Sequence, residues 1–133
     1  MIYTNSDGGA RGNPGPAAIG VIVRKDDSIL EMHSEKIGIA TNNVAEYRAL
    51  IKAMETAKKH TKDELICVLD SELVVKQLLG EYRVINPKLR ELFLEVQKLQ
   101  DNFKKIKYVH VRRNDIFQQV VDNLLNNELD NRN

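Results

Sequence analysis

The sequence predicts an α/β fold: a single domain on a five-stranded mixed sheet, three antiparallel strands followed by two parallel ones, flanked by helices. Three observations point there. The first 40 residues hold β-branched apolar runs separated by turn residues, the rest alternates helix-period segments with short apolar runs, and the 133 residues contain no repeat, low-complexity segment or linker.

Ile2 to Ser6 reads as a short strand, ended by Asp7 and the glycines and prolines of Asp7-Gly-Gly-Ala-Arg-Gly-Asn-Pro-Gly-Pro16, which suit a hairpin connection. Ala17 to Arg24 is β-branched and apolar, Lys25 to Ser28 supplies a turn, and Ile29 to Ile39 is a third extended run, so the three strands form a meander. Tyr47, Leu50, Ile51, Met54 and Ala57 recur at helical spacing. Leu65 to Leu69 is too short for a helix and apolar throughout, as a central strand is. Leu73 to Leu78 continues as a short helix that Gly80 ends.

Asn86 and Pro87 form a helix start, after which Leu89, Leu92, Phe93, Val96, Leu99 and Phe103 repeat with helical period. Ile106 to Val111 reads as a strand, followed by a polar loop through Gln119 and a last helix carrying Val120, Val121, Leu124, Leu125 and Leu129. Asp130 to Asn133 reads as a frayed tail. The order is β-β-β-α-β-α-α-β-α, whose later strands run parallel through right-handed crossovers.

Composition narrows the function without choosing it. With 42% hydrophobic and 29% charged residues the chain reads as an ordinary globular protein, and a net charge of +1 neither requires nor excludes a polyanionic partner. The first residues have no basic segment followed by a long apolar stretch, so the expectation is a cytoplasmic protein that does not engage a membrane. Cys67, the single cysteine, sits in an apolar run and reads as a small core residue.

The chemistry lies in the acids. Asp7 and Asp70 each end a strand, and Glu46 lies in the first turn of the intervening helix. Ligands in open sheets bind beyond the carboxyl ends of the strands, so adjacent parallel first and fourth strands bring Asp7 and Asp70 together. Anions so close repel unless a cation lies between them, and an all-oxygen acidic site suits Mg2+ or Mn2+. Each acid also has a plainer explanation. Asp7 can be a turn residue, Glu46 the capping-box partner of Asn43, Asp70 a helix cap and Asp122 solvated surface, with Asp115 and Asp130 competing for its place. The glycine-rich segment matches neither the dinucleotide-binding pattern nor the P-loop.

Four segments together resemble the type 1 ribonucleases H, especially compact bacterial and archaeal forms: Asp7 to Pro16, Thr41-Asn-Asn-Val-Ala-Glu-Tyr47, Asp70-Ser-Glu-Leu-Val-Val-Lys-Gln-Leu-Leu-Gly-Glu-Tyr82 and Val121-Asp-Asn-Leu124. They span nearly the whole chain, and the element order is that of the ribonuclease H-like fold. The resemblance implies an endonuclease that cuts the RNA strand of RNA/DNA hybrids, leaving 3′-hydroxyl and 5′-phosphate ends. It makes Asp7, Glu46, Asp70 and Asp122 the ligands of two Mg2+ ions, replaceable by Mn2+, with Asp7 bridging them. It places the backbone of Gly8, Gly9, Ala10 and Arg11 and the side chains of Asn13, Asn43 and Ser71 along the RNA, and Thr41 with Asn13 at a phosphate of the DNA strand. A monomer is implied, with duplex RNA as a further possible partner.

Three features depart from the family pattern. Gly80 to Pro87 passes directly between helices where many members insert a basic, tryptophan-containing substrate handle, and the chain has no Trp. The loop Arg112 to Gln119 lacks the histidine some members carry, leaving Arg112 or Arg113 as phosphate contacts and His110 as a structural residue. Val120 and Val121 stand where small residues often precede the last acid. The rival readings are another nuclease of the same fold and a non-catalytic hybrid-binding module.

Overall fold

In the computed structural model, which describes residues 1–131, the chain runs β1 (Ile2–Ala10), β2 (Gly15–Lys25), β3 (Ser28–Ala40), α1 (Asn42–Ala57), β4 (Glu64–Leu69), α2 (Glu72–Leu78), α3 (Pro87–Gln100), β5 (Lys105–His110) and α4 (Ile116–Asp130). The strands form one five-stranded sheet in the order β3-β2-β1-β4-β5. The β1–β2 and β2–β3 pairs are antiparallel and joined by short turns, while β1–β4 and β4–β5 are parallel and need the helical crossovers that α1, α2 and α3 supply. The element order and the mixed sheet are those the sequence predicts.

The helices divide between the two faces. On one face α1 lies against β1 and β2 and is backed by α3. Tyr47, Leu50 and Met54 of α1, Leu65 and Leu69 of β4 and Val96 of α3 fill that core and are wholly buried. Each such side chain contributes about 1.5–3 kcal/mol of transfer free energy. On the other face, among the described residues, α4 crosses β1, β2 and β3. The interior there is more polar, with Asn5, Arg24 and Gln118 all buried.

The helix starts follow local chemistry. Thr41, Ser71, Asn86 and Asp115 cap α1, α2, α3 and α4, each side chain accepting from one or two amides of the first turn. Gly80, with φ of 80°, lies just beyond α2 in a conformation that favours glycine.

Three boundaries differ from expectation. β1 does not end at Asp7 but continues through Gly8 and Gly9 to Ala10, pairing with Ala17. Glycine stands at position 8 because α1 passes directly over it: a Cβ would lie 2.1 Å from the Ala45 carbonyl oxygen. The last helix begins at Ile116, inside the expected loop, because Asp115 accepts from the Phe117 and Gln118 amides. Asp130 belongs to α4 and pairs with Arg11 rather than fraying, and the Asn131 carbonyl accepts from Lys36 Nζ. Arg132 and Asn133 of the expected tail lie outside the described residues.

Candidate active site

The parallel register of β1 on β4 pairs Asn5 with Val68. Carried two residues further, it sets Asp7 beside Asp70 where β4 ends. α1, seated on Gly8, brings Glu46 over the same point. One carboxylate oxygen from each of Asp7, Glu46 and Asp70 lies within 4.8 Å of the others.

The setting is hostile to three negative charges. Asp7 is 6% exposed, and Glu46 and Asp70 are partly buried. Burial, and then the neighbouring Asp70 charge, push the Asp7 carboxyl up to about 8 from 3.8. Burial and the Asp7 charge raise Glu46 well above the usual carboxylate range. Asp70 is raised by burial too, against the opposing effect of Arg113, whose Nε lies 3.9 Å from Asp70 Oδ2. The Arg113 side chain is 94% exposed, so solvent weakens that pair.

These residues fit a hard divalent cation. The donors are all carboxylate oxygens, burial and mutual repulsion favour the protonated forms of Asp7 and Glu46, and Glu46 Oε2 is buried without a hydrogen-bond partner among the described residues. An orphaned buried acceptor of this kind is costly, and a cation would satisfy it.

Around the cluster opens a cavity of about 350 Å³. Asp122 of α4 lines it and faces Asp7, although it is exposed and lies outside the close group of three. Gly8, Gly9, Ala10, Arg11, Asn43 and Ser71 line it as well. Asn13 and Thr41 do not: Asn13 Oδ1 accepts from the Asn42 amide and Thr41 Oγ1 from the Val44 amide, so both secure the start of α1. Ser71 lines the cavity while capping α2.

The geometry decides between the alternatives the sequence left open. Asp7 lies within a strand rather than a turn, and Thr41, not Asn43, caps α1, so Glu46 is no capping-box partner. Ser71 rather than Asp70 caps α2. Asp115 caps α4 and Asp130 pairs with Arg11, and neither lines the cavity that Asp122 lines.

Two neighbours escaped the sequence reading. Asn42 lines the cavity and its Oδ1 accepts from the Ala10 amide, fastening the edge of β1 to α1; the Thr41-Asn-Asn segment was the available signal. Gln118 is wholly buried behind Asp122, with nothing to distinguish it in a polar stretch.

Comparison with known proteins places the chain among others of this fold. The reverse transcriptase-like family matches residues 5–127. Ribonuclease HI of Halobacterium salinarum is 40% identical over 130 residues, covering 97% of this chain and 64% of that protein. A bifunctional protein of Mycobacterium tuberculosis is 42% identical over 114 residues, 84% of this chain but 31% of the relative, so the chain spans under a third of that protein's length. LC11-RNase H1, isolated from compost by a metagenomic approach and solved in complex with an RNA/DNA hybrid, superposes with a TM-score of 0.90 at 38% identity, covering 98% of this chain and 97% of that one.

Proposed function

The chain belongs to the type 1 ribonuclease H family, and from that premise we propose that it is an endoribonuclease hydrolysing the RNA strand of RNA/DNA hybrids at Asp7, Glu46, Asp70 and Asp122. The observation that carries the reading is the close group of three carboxylates, within 4.8 Å of one another, beside an orphaned Glu46 oxygen. Only positive charge lets such a group ionise at neutral pH.

Asp7, Glu46, Asp70 and Asp122 would together hold two Mg2+ ions, and Mn2+ would substitute. Bound there, two divalent cations supply charge neutralisation and Lewis acidity to phosphodiester hydrolysis, which is assigned 3′-hydroxyl and 5′-phosphate products. The protein's own part is to hold the acids converged before substrate arrives, while the cations would supply the charge that lets them ionise. No side chain need act as a covalent nucleophile.

Gly8 to Arg11, Asn43 and Ser71 rim the cavity, where backbone and side-chain groups can hydrogen-bond 2′-hydroxyls and so tell RNA from DNA. Thr41 and Asn13, beside the start of α1, are assigned a phosphate of the DNA strand in addition to their structural bonds. Without a basic handle between α2 and α3, grip on the hybrid should rest on few cations and weaken steeply with salt. The reading takes the protein as a monomer. A cytoplasmic location suits the buried free thiol of Cys67.

The test is cleavage of end-labelled RNA/DNA hybrid, duplex RNA and branched DNA in Mg2+, in Mn2+ and in EDTA. Metal-dependent cutting of the hybrid's RNA strand is expected. Hybrid binding without cutting in either metal would replace the enzyme with a binding module, and preferential cutting of branched DNA would replace it with a different nuclease.

A further inference from the structure

Asp122 is the one acid of the four that neither the β1–β4 register nor the seat of α1 on Gly8 places. It rides on α4, and a chain of buried polar side chains fastens α4 beside Asp7. Arg24 of β2 lies between the rings of Tyr3 and Phe117, its guanidinium carbon 4.3 Å and 4.1 Å from their centroids. Its Nε donates to Asn5 Oδ1 at 2.9 Å, and Asn5 Nδ2 donates to Gln118 Oε1 at 3.2 Å. Gln118 Nε2 in turn donates to the Ser6 carbonyl oxygen at 2.8 Å.

The amide of Gln118 therefore uses both its acceptor and a donor inside a region closed to water: Asn5 and Gln118 are wholly buried and Arg24 is 9% exposed. The chain ends at the carbonyl of Ser6, the residue before Asp7. Gln118, the link before it, lies one helical turn before Asp122, on the same side of α4. The helix also fits closely at its next contact. Gly20 is the cross-strand partner of Asp7, and a Cβ there would lie 2.3 Å from the Val121 carbonyl oxygen. With Gly20 leaving no slack and Gln118 bonded to β1, the side of α4 that bears Asp122 has one seat.

We propose that Gln118 is a positioning residue: its amide, bridging Asn5 and the Ser6 carbonyl, sets where Asp122 stands relative to Asp7 and so how the acids hold divalent cations. The inference rests on the reading of Asp122 as a functional acid. Gln118 does not face the cavity and touches neither substrate nor cation; it acts through α4.

Calorimetric titration with Mn2+ alone tests it, on the full chain as wild type, Gln118→Leu, Asp122→Asn and the double variant. Val96→Ala, a cavity in α3 on the other face of the sheet, controls for lost stability, and circular dichroism checks each fold. Gln118→Leu should weaken Mn2+ binding roughly 10- to 100-fold, the usual loss when a group orienting a ligand is removed. The double variant should bind no more weakly than Asp122→Asn, because the two changes remove the same contribution. Val96→Ala should bind as wild type does. Gln118→Met, closer in shape, replaces the leucine variant if that one does not fold.

Wild-type affinity in the folded Gln118 variant, or a loss that adds in full to that of Asp122→Asn, would overturn the proposal. The titration contains no nucleic acid, so the two readings fail separately. Wild-type protein that shows this pattern but leaves hybrids intact would support the positioning role while refuting the nuclease.

Discussion

Asp7, Glu46 and Asp70 lie where main-chain geometry puts them, whereas Asp122 lies where side chains hold it. The first group follows from the β1–β4 register and from α1 resting on Gly8, and its carboxylates converge to within 4.8 Å. Asp122 stands across the cavity on a helix that packs on the other face of the sheet, tied down through Gln118, Asn5 and Arg24. A backbone register admits no small displacement, since a slip of one residue turns every side chain to the opposite face. A side-chain tether can be weakened by degrees. The strand side should thus fail abruptly under substitution and the α4 side gradually.

The largest difference should appear in the acids themselves. Glu46→Gln should take hybrid cleavage to background, because it removes a donor from the centre of the cluster. Asp122→Asn should leave measurable activity, since water reaches that exposed position and can take up part of the carboxylate's role. Equal losses in a single-turnover assay would erase the proposed distinction.

The second expectation concerns pH. Asp7 has a folded pKa of about 8 against an unfolded 3.8, and Glu46 shifts the same way. The folded protein then binds more protons than the unfolded chain between those values. This stabilisation is complete below the unfolded pKa and disappears as pH rises through the folded one. In EDTA, melting temperature should fall between about pH 4 and pH 8, and Asp7→Asn should flatten the fall. Saturating Mg2+ should flatten it too, since a cation replaces the protons. A wild-type curve that is level in EDTA would show that burial and mutual repulsion do not raise these acids as the geometry requires.

Adjacent glycines provide a finer test. A methyl group at Gly8 meets the Ala45 carbonyl oxygen at 2.1 Å, while one at Gly9 meets only Leu125 Cδ1 at 3.4 Å. Gly8→Ala should displace α1 and Glu46, costing about 1–3 kcal/mol in urea unfolding together with much of the activity. Gly9→Ala should be nearly silent in stability. Thr41→Ala should cost less than Gly8→Ala, about 1 kcal/mol from the lost cap, with a weaker hybrid interaction if the residue also meets a phosphate.

The same contrast explains what was legible in the sequence. Element order, the Asn86-Pro87 helix start and the convergence of Asp7 with Asp70 follow from local patterns and strand pairing, which one chain displays. Gly8 reads as a turn residue in the sequence because its reason is an approach by α1 from 37 residues away, which no local pattern encodes. Gln118 is not legible there because a buried glutamine looks like any surface glutamine until its partners on β1 are in place. Asp115 reads as a rival acid in the sequence, and its bonds to the Phe117 and Gln118 amides make it a cap.

The central claim is that Asp7, Glu46, Asp70 and Asp122 form a metal-dependent centre for cutting RNA in hybrids. Its most direct test is cleavage of a labelled RNA/DNA hybrid in Mg2+ by wild type and Asp7→Asn, each shown to be folded by circular dichroism. The wild type should cut and Asp7→Asn should not. Undiminished cleavage by folded Asp7→Asn protein would contradict the account.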